Sequence, residues 1–348
     1  MGYPTNTILI TGSGFGNNPA NVQVWFDQVK GSVISATDVS ITTSIPPQAR
    51  LHNVEVINVS SNLSGKSTVK FMPVFSGEGF APSKLTAPLS FASNTSVFDI
   101  CSCDLNNDGK PELIGTKFDN TATDLIVLQN QSTPGNLSFT KLDKTNLPAL
   151  NINAPTGNVT CGDLNGDGKP DLVASRSGAT ANSIFVLRNT SAGTPDFAAP
   201  VELFLDAGHF AREVSVQDLN SDGKPEIIVA NSFNNVLYVF QNESSSGTLS
   251  INPTPVKIIM SGVPNSLALE VQDMNGDSKP DIVVTQNQGP NIYVLKNQSS
   301  STISFASPTV FTFPGSFNDI NSADFNSDGK LDLVLTSVFG AQALVVLN

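Results

Sequence analysis

The amino-acid sequence predicts an all-β protein, and two observations carry this prediction. Short runs of β-branched and aromatic residues alternate with stretches rich in Gly, Ser, Asn and Thr, and 22 prolines are spread along the chain, a pattern typical of strands joined by turns. An acidic segment also recurs, with its first Asp at residues 104, 163, 218, 273 and 324, and repeats of this length are typical of propellers and solenoids. We find no convincing stretch of helical periodicity. We therefore expect a small sandwich followed by propeller blades of four antiparallel strands.

Residues 1–75 carry no copy of the acidic segment and predict a separate small sandwich. Turn residues separate short apolar runs, as expected for the strands of a small sandwich. These runs are Ile8–Ile10, Val22–Phe26, Val39–Ile41, Val54–Val59 and Val69–Phe75. The segment ITGSGFGNN, the following VQVWF and the closing VKFMPVF resemble the IPT/TIG family of immunoglobulin-like domains. That family usually has another strand before ITGSGFG, so the resemblance implies that the chain begins inside the domain.

Residues 94–348 predict propeller blades, and residues 76–93 predict a linker. Each repeat contains an apolar strand, the acidic loop, and three further strands. The second strands read LIG, LVA, IIV, IVV and LVL, and the third read LIVLQN, IFVLRN, LYVFQN, IYVLKN and ALVVLN. The fourth strands are expected near Phe139, Phe197, Ile251 and Phe305. Four antiparallel strands in each repeat form one propeller blade.

The order of apolar strand, DLNxDGKPD, LVV, VxVLxN and SF resembles the FG-GAP/VCBS repeats of integrin α-chain propellers and of many bacterial surface proteins. The resemblance covers residues 94–348, although the literal FG and GAP signature is poorly kept. Propellers of this family generally have seven blades, whereas five acidic loops are visible here. Pro88–Phe91 (PLSF) resembles the last strand of a blade and would close a ring. We expect a fragment of a larger propeller, with a closed five-bladed ring as the alternative.

Each acidic loop offers oxygen ligands that fit calcium. In DLNGDGKPD the side chains at positions 1, 3, 5 and 9 and the carbonyl at position 7 can face one point, and calcium takes about six to eight oxygen ligands. Magnesium demands a stricter octahedron, and zinc prefers His or Cys. The predicted calcium ligands, with each Lys acting through its carbonyl, are Asp104, Asn106, Asp108, Lys110, Glu112, Asp163, Asn165, Asp167, Lys169, Asp171, Asp218, Asn220, Asp222, Lys224, Glu226, Asp273, Asn275, Asp277, Lys279, Asp281, Asp324, Asn326, Asp328, Lys330 and Asp332.

Two other interpretations of the loops fit less well. An EF-hand also begins with DxNxDG, but it needs a bidentate Glu at position 12, where these loops have Gly115, Ala174, Val229, Val284 and Leu335. Turns rich in Asp and Asn are common, but five copies with acids at positions 1, 5 and 9 favour calcium. Glycine at position 6 permits a positive φ. The fourth loop has Ser278 at this position, so we expect it to be the weakest site.

The three cysteines predict neither a disulfide framework nor a zinc site, because their number is odd and two of them have CxC spacing. Cys161 occupies the repeat position of Val216 and Val271, and we expect it to be a small buried hydrophobic residue. Cys101 and Cys103 are expected to point to the opposite face of their strand. This difference disfavours a bridge to Cys161.

The charge of the chain excludes several classes of partner. Eighteen basic against 30 acidic residues give a formal net charge of −12, which repels nucleic acid and anionic membranes. No apolar run approaches the ~20 residues of a membrane-spanning helix, and the start of the chain lacks the basic region of a signal peptide. Half of the acids lie in the five loops. Calcium is scarce in the cytosol, so calcium sites indicate an extracellular or cell-surface location, with any targeting segment outside this chain.

These observations predict a calcium-binding surface or secreted module for adhesion, which presents loops to a protein or glycan and is not an enzyme. The only histidines, His52 and His209, fall in separate predicted domains and have no nucleophile context. A carbohydrate-binding lectin is one alternative, but the chain has one Trp and three Tyr, and Tyr238 and Tyr293 fall within predicted strands. A non-catalytic accessory region of a larger secreted enzyme is another alternative.

Overall fold

The chain divides into two compact units, residues 1–89 and residues 90–348, and each is described by itself. The computed structural model describes residues 7–26, 29–46, 52–61, 63–71, 97–117, 125–133, 135–142, 156–176, 182–207, 209, 211–231, 235–260, 266–286, 289–326, 328–337 and 342–348. The predicted closing strand Pro88–Phe91 and residues 72–75 of the last predicted sandwich strand lie outside these residues. The prediction of an all-β protein is confirmed.

The first unit contains two antiparallel sheets. Its strands are β1 (Thr7–Thr11), β2 (Val22–Phe26), β3 (Val29–Gly31), β4 (Val33–Thr37), β5 (Ser40–Ser44), β6 (His52–Asn58) and β7 (Leu63–Phe71), with a 3₁₀ turn at Pro19–Asn21. One sheet has the order β1-β5-β4 and the other has the order β3-β2-β6-β7. Strands β3 and β4 are additions to the predicted apolar runs, and β7 begins earlier than the predicted run.

Alternation along the strands builds the core of this unit. In VQVWF, the side chains of Val22, Val24 and Phe26 are buried, whereas Gln23 and Trp25 are only partly covered, as a period of two residues requires. The buried side chains pack against Ile41 of the other sheet. The first unit is therefore a sandwich of two sheets with one apolar core.

The second unit contains five sheets in sequence, which we call blades 1 to 5. Blade 1 comprises β8 (Val97–Cys103), β9 (Glu112–Lys117), β10 (Ile126–Asn130) and β11 (Phe139–Leu142); blade 2 comprises β12 (Thr156–Gly162), β13 (Asp171–Arg176), β14 (Ser183–Leu187) and β15 (Val201–Phe204); blade 3 comprises β16 (Ala211–Gln217), β17 (Glu226–Asn231), β18 (Val236–Phe240) and β19 (Val256–Ile259); blade 4 comprises β20 (Ser266–Gln272), β21 (Asp281–Gln286), β22 (Asn291–Leu295) and β23 (Thr309–Thr312); and blade 5 comprises β24 (Phe317–Ala323), β25 (Asp332–Ser337) and β26 (Gln342–Val346). Consecutive strands pair antiparallel within each blade.

The fourth strands begin later than predicted in blades 2, 3 and 4. The residues named in the prediction, Phe197, Ile251 and Phe305, each form a single bridge to the asparagine after the third strand. The regular ladder resumes four or five residues farther along, at Val201, Val256 and Thr309. The bridging apolar residue and the fourth strand are therefore separate features of the repeat, and only the bridging residue can be recognised in the sequence.

Blades 2, 3 and 4 pack against a neighbouring blade on both faces, so their second and third strands are buried along most of their length. Leu172 of β13 packs with blade 1, whereas its neighbour Val173 packs with blade 3. Four separate apolar clusters lie between consecutive blades in this way. Burial at about 25 cal/mol per Å² of apolar surface makes these junctions the main apolar contribution to the stability of the second unit.

The first strands of consecutive blades are also joined by side-chain hydrogen bonds. In each of the first three junctions, a polar side chain five residues before the acidic loop accepts from a backbone N–H of the next blade. The bonds join Asp99 Oδ2 to Val159 N–H at 2.8 Å, Asn158 Oδ1 to Val214 N–H at 3.0 Å, and Glu213 Oε2 to Leu269 N–H at 2.9 Å. Neighbouring blades are therefore held in a fixed register by polar contacts as well as by apolar packing.

The cysteines correct one prediction from the sequence, because the structure joins Cys103 and Cys161 by a disulfide and leaves Cys101 as a thiol. Consecutive blades pack face to face, so the face of blade 1 that carries Cys101 and Cys103 meets the opposite face of blade 2, which carries Cys161. Side chains that lie on opposite faces of one repeat therefore meet when two consecutive repeats pack together. Burial, with a contribution from Asp99, raises the pKa of Cys101 to about 12.

None of the described residues forms a helix that is long and apolar enough to cross a membrane.

Candidate functional site

The five acidic loops connect the first and second strands of the five blades, and their described residues share a common set of backbone hydrogen bonds. We number each loop from its first Asp, as positions 1 to 9. In the second loop, Asp163 Oδ1 accepts from the backbone N–H groups of Gly166 and Asp167 at 2.8 and 3.2 Å, and Oδ2 accepts from Gly168 N–H at 2.8 Å. In all five loops the carboxylate at position 1 accepts from the N–H groups of positions 5 and 6. The first Asp therefore organises the turn.

Positions 3 and 5 are fixed by shorter local bonds. In the second loop, Asn165 Oδ1 accepts from Asp167 N–H at 3.0 Å, and Asp167 Oδ1 accepts from Lys169 N–H at 3.0 Å. The position 5 bond recurs in all five loops, and the position 3 bond recurs in the first, third and fifth. Each of these carboxylates and amides keeps further oxygen lone pairs, so both positions retain oxygen atoms for a cation.

Position 6 has a positive φ in every loop, as glycine there led us to expect. The φ angles are +82° at Gly109, +83° at Gly168, +82° at Gly223 and +88° at Gly329, and Ser278 of the fourth loop adopts +67°. Only glycine occupies this region without steric cost. The fourth loop therefore folds like the others with an added backbone strain.

The acid at position 9 is buried, whereas position 1 is half-buried and position 5 is exposed. Both oxygens of the buried carboxylate accept backbone N–H groups: Asp171 Oδ2 accepts from Leu164 at 3.1 Å, and Oδ1 accepts from Asn189 at 2.7 Å. The same two bonds form at Glu112 and Asp332. Position 9 thus ties the loop to the end of the third strand.

Burial raises the pKa of the position 9 carboxyl groups in the first four loops. The pKa of Glu112 rises to about 7, that of Asp171 to about 6 and that of Glu226 to about 7, and the pKa of Asp281 is raised as well. Hydrogen bonds from the backbone oppose this rise, whereas the nearby acids at positions 1 and 5 add to it. Three carboxyl groups in each of these loops therefore lie close enough to repel one another.

The donor set of each loop consists of oxygen atoms, which suits a hard cation such as calcium. Among the described residues, the three carboxylates of a loop do not all come within 4.8 Å of one another. The assignment of twenty-five calcium ligands therefore stays a prediction, and the oxygen chemistry of these donors fits calcium.

An asparagine after each third strand belongs to the same site and was given no role in the sequence analysis. Asn189 donates its N–H to Asp171, and its Nδ2 donates to the carbonyl of Pro170 at 2.9 Å and to the carbonyl of Leu105 in blade 1 at 2.8 Å. Asn242, Asn297 and Asn348 make the same bond to the preceding blade. Its recurrence in LQN, LRN, FQN, LKN and VLN is the signal that identifies it.

The remaining polar clusters do not assemble a catalytic constellation among the residues that the structure describes. His209 Nδ1 contacts the hydroxyl of Tyr238, which also donates to Asp206 at 3.1 Å. Tyr238 itself is 0% exposed and Tyr293 is 3% exposed. Both tyrosines lie within strands, as the sequence predicted, and their burial makes them core residues of their blades.

Comparison with known families identifies both units. Residues 104–174, 163–229, 218–284 and 273–335 each match the FG-GAP-like repeat family. Residues 1–72 match the IPT/TIG domain family. The predicted combination of a repeat region with an N-terminal IPT/TIG domain is thus confirmed.

Similar proteins are remote. A T-cell immunomodulatory protein homolog from Plasmodium yoelii yoelii is 27% identical over 134 residues, which are 34% of this chain and 19% of that protein, so this chain spans about a fifth of its relative's length. An auxiliary nutrient binding protein from Bacteroides ovatus is 13% identical with a TM-score of 0.42, covering 99% of this chain and 80% of that chain. An Agrocybe aegerita lectin that recognises non-reducing terminal N-acetylglucosamine is 16% identical with a TM-score of 0.46, covering 96% and 75%.

Proposed function

Because this chain belongs to the FG-GAP-like repeat family and carries an IPT/TIG domain before the repeats, we propose that it is a non-catalytic extracellular binding module whose blades are stabilised by calcium in the five acidic loops. The module presents its loops to a protein or glycan ligand in adhesion. The observation that carries the proposal is the fivefold recurrence of one loop with acids at positions 1, 5 and 9.

The chemistry of the donors supports calcium over other cations. Each loop offers carboxylate and amide side chains and a backbone carbonyl, and its donor set contains no His or Cys. Calcium accepts such a set with variable geometry, whereas magnesium requires a near-ideal octahedron and zinc prefers nitrogen or sulfur. The residues that would hold the ion in the second loop are Asp163, Asn165, Asp167, the Lys169 carbonyl and Asp171.

The proposed role of calcium is structural. Three carboxylates in one short loop repel each other, and a dication between them turns that repulsion into attraction. At a dissociation constant of ~10⁻⁴ M and millimolar calcium, each site would add about 1.4 kcal/mol to the free energy of unfolding. Because the loops lie beside the asparagines that join consecutive blades, this stabilisation acts at the junctions.

An extracellular location follows from the same numbers. Sites of this affinity are filled at about millimolar extracellular calcium and stay largely empty in the cytosol. The net charge of −12 also disfavours nucleic acid as a partner. Protein or glycan ligands at the cell surface are the partners that remain, and the burial of Tyr238 and Tyr293 favours adhesion over a lectin built on these rings.

Thermal unfolding with calcium and with chelator tests the proposal. We expect calcium to raise the melting temperature by more than about 10 °C, given five sites of about 1.4 kcal/mol and about 2–4 °C for each kcal/mol. Magnesium at the same concentration is the control and should give a much smaller shift. Mass spectrometry of the native protein should count five ions per chain. A calcium shift of one degree or less would contradict the structural role.

A further inference from the structure

All three cysteines of the chain meet at one place, the junction between blades 1 and 2. The sulfur atoms of Cys101, Cys103 and Cys161 lie within 4.8 Å of one another. All three residues are half-buried, and they pack at the edge of the apolar cluster between the two blades. Among the described residues, this is the one group of three His, Cys, Asp or Glu side chains whose ligand atoms lie so close together.

The fold explains why these three positions converge. On the first strand of each blade, the side chains one and three residues before the acidic loop face the next blade, where they meet the side chain two residues before its loop. At the second junction, a Cβ added to Gly162 would lie 2.7 Å from Val216. At the fourth junction, the hydroxyl of Ser322 donates to Glu270. The same geometry at the first junction brings together three sulfurs.

We propose that, when the Cys103–Cys161 bridge is reduced, these three sulfurs form a binding site for one thiophilic cation of the Cu(I) or Zn(II) type. Thiolate sulfur is a soft ligand that selects Cu(I) and zinc over the hard cations bound by oxygen. Cu(I) is satisfied by three sulfurs, whereas Zn(II) would add a water as its fourth ligand, and the half-buried position gives access to solvent. This site is therefore distinct in chemistry from the oxygen loops.

The disulfide bridge and the bound cation cannot be present together, because both use the sulfurs of Cys103 and Cys161. Reduction of the bridge must therefore come before the cation binds. A dithiol reductant supplies two electrons and two protons to the sulfurs of Cys103 and Cys161 and closes to its own cyclic disulfide. A cation that then binds displaces the three thiol protons into solvent. The junction is thus cross-linked by a covalent bond under oxidising conditions and by a cation under reducing ones.

Titration of the reduced, calcium-loaded chain with Cu(I) or Zn(II) tests the proposal. The protein is reduced with a phosphine, freed of the reductant without air, and titrated with Cu(I), with Zn(II), and with Cd(II) as a spectroscopic stand-in for zinc. We expect one ion per chain and an ultraviolet thiolate-to-metal charge-transfer band with Cu(I) and with Cd(II). Cu(I) should bind more tightly than Zn(II), because three sulfurs complete its coordination. The unreduced chain is the control and should bind no ion in this way.

The Cys101→Ser variant supplies the decisive comparison, because it keeps the bridging pair and therefore folds as the oxidised protein does. Loss of even an outer-shell partner typically lowers metal affinity about 10- to 100-fold, so loss of this direct ligand should lower the affinity of the reduced variant at least about 100-fold. Equal affinity of the reduced variant and the reduced parent would overturn the proposal. So would a reduced parent that gives no charge-transfer band, or one whose circular dichroism shows that the blades have unfolded with calcium present.

Discussion

The second and fourth acidic loops share one sequence pattern, yet their side chains are held in different ways. In the second loop, the position 3 amide Asn165 accepts from the backbone at position 5, and the position 9 carboxylate Asp171 accepts from the backbone of Leu164. Both of these side chains therefore support the turn that carries them. Gly168 adopts its positive φ without a side chain to clash.

In the fourth loop, the same positions have other partners. Asn275 turns its Nδ2 to Asp281 Oδ2 at 2.6 Å. Lys296 forms an ion pair with Asp277 at 3.2 Å. Burial opposes a lowered pKa of Asp277, but the backbone N–H of Lys279 and then Lys296 lower it. Ser278 holds a left-handed conformation that glycine holds elsewhere. A single substitution in the motif is thus accompanied by a changed set of contacts.

The comparison teaches that the motif contains two kinds of acid. Position 9 is buried in both loops and accepts backbone N–H groups, which makes it part of the blade. Positions 1 and 5 are more exposed, and their carboxylates would hold the proposed calcium together with the position 9 acid. Loss of the position 9 acid should therefore harm the protein with or without calcium, whereas loss of the position 5 acid should matter mainly when calcium is present.

Substitution at position 9 has the largest expected effect. Asp171→Ala leaves two buried N–H groups without an acceptor, at about 1–3 kcal/mol for each, so we expect a loss of about 2–6 kcal/mol in urea unfolding even with chelator present. Asp167→Ala in the same loop is the matched control and should lose little in chelator. If both variants lose equal stability there, the distinction between buried and exposed acids is wrong.

The pH dependence should be the next largest effect. The raised pKa values of Glu112, Asp171 and Glu226 mean that their contribution is fully present below about pH 4 and is lost as the pH rises through about 6 to 7. Without calcium, the melting temperature should therefore fall between pH 5 and pH 8. Calcium should flatten this fall. A calcium-free melting temperature that stays level or rises across this range would contradict the assignment.

Asp-to-Asn changes at position 5 should separate the two loops. Asp167→Asn should remove most of the roughly 1.4 kcal/mol that calcium adds through one site. Asp277→Asn should remove less, because Lys296 already neutralises part of the charge and the fourth site is expected to be weaker. The measurement is the calcium-dependent part of the unfolding free energy in each variant. A larger loss for Asp277→Asn would reverse the predicted order of the two sites.

Exchange of the position 6 residues gives the smallest expected effect. Ser278→Gly should stabilise the chain by about 0.5–1 kcal/mol and tighten the fourth site, because it relieves a positive φ that L side chains rarely adopt. Gly168→Ser should do the reverse in the second loop, where no atom lies within 4 Å of an added Cβ and only the backbone is strained. Calorimetric calcium titration of both variants checks this, and unchanged affinities would remove the glycine argument.

Much of the fold could be predicted because its signals are local and repeated. The strand order, the loop between the first and second strands, and the positive φ at position 6 all follow from patterns within one repeat. The later start of the fourth strands in blades 2 to 4 could not be predicted in the same way. The bridge at Phe197 and the strand from Val201 are separated by a short irregular stretch, which carries no periodicity.

The sequence by itself determined the all-β class, the repeat, the donor set of the loops and the strain at Ser278, because each depends on residues that are neighbours along the chain. Only the tertiary structure decided that Cys103 meets Cys161, that Asn189 reaches the preceding blade, and that position 9 is buried. The parity of a strand gives the face on which a side chain lies, but it does not give the neighbouring sheet that covers that face. In a stack of blades, that neighbour is always a different repeat.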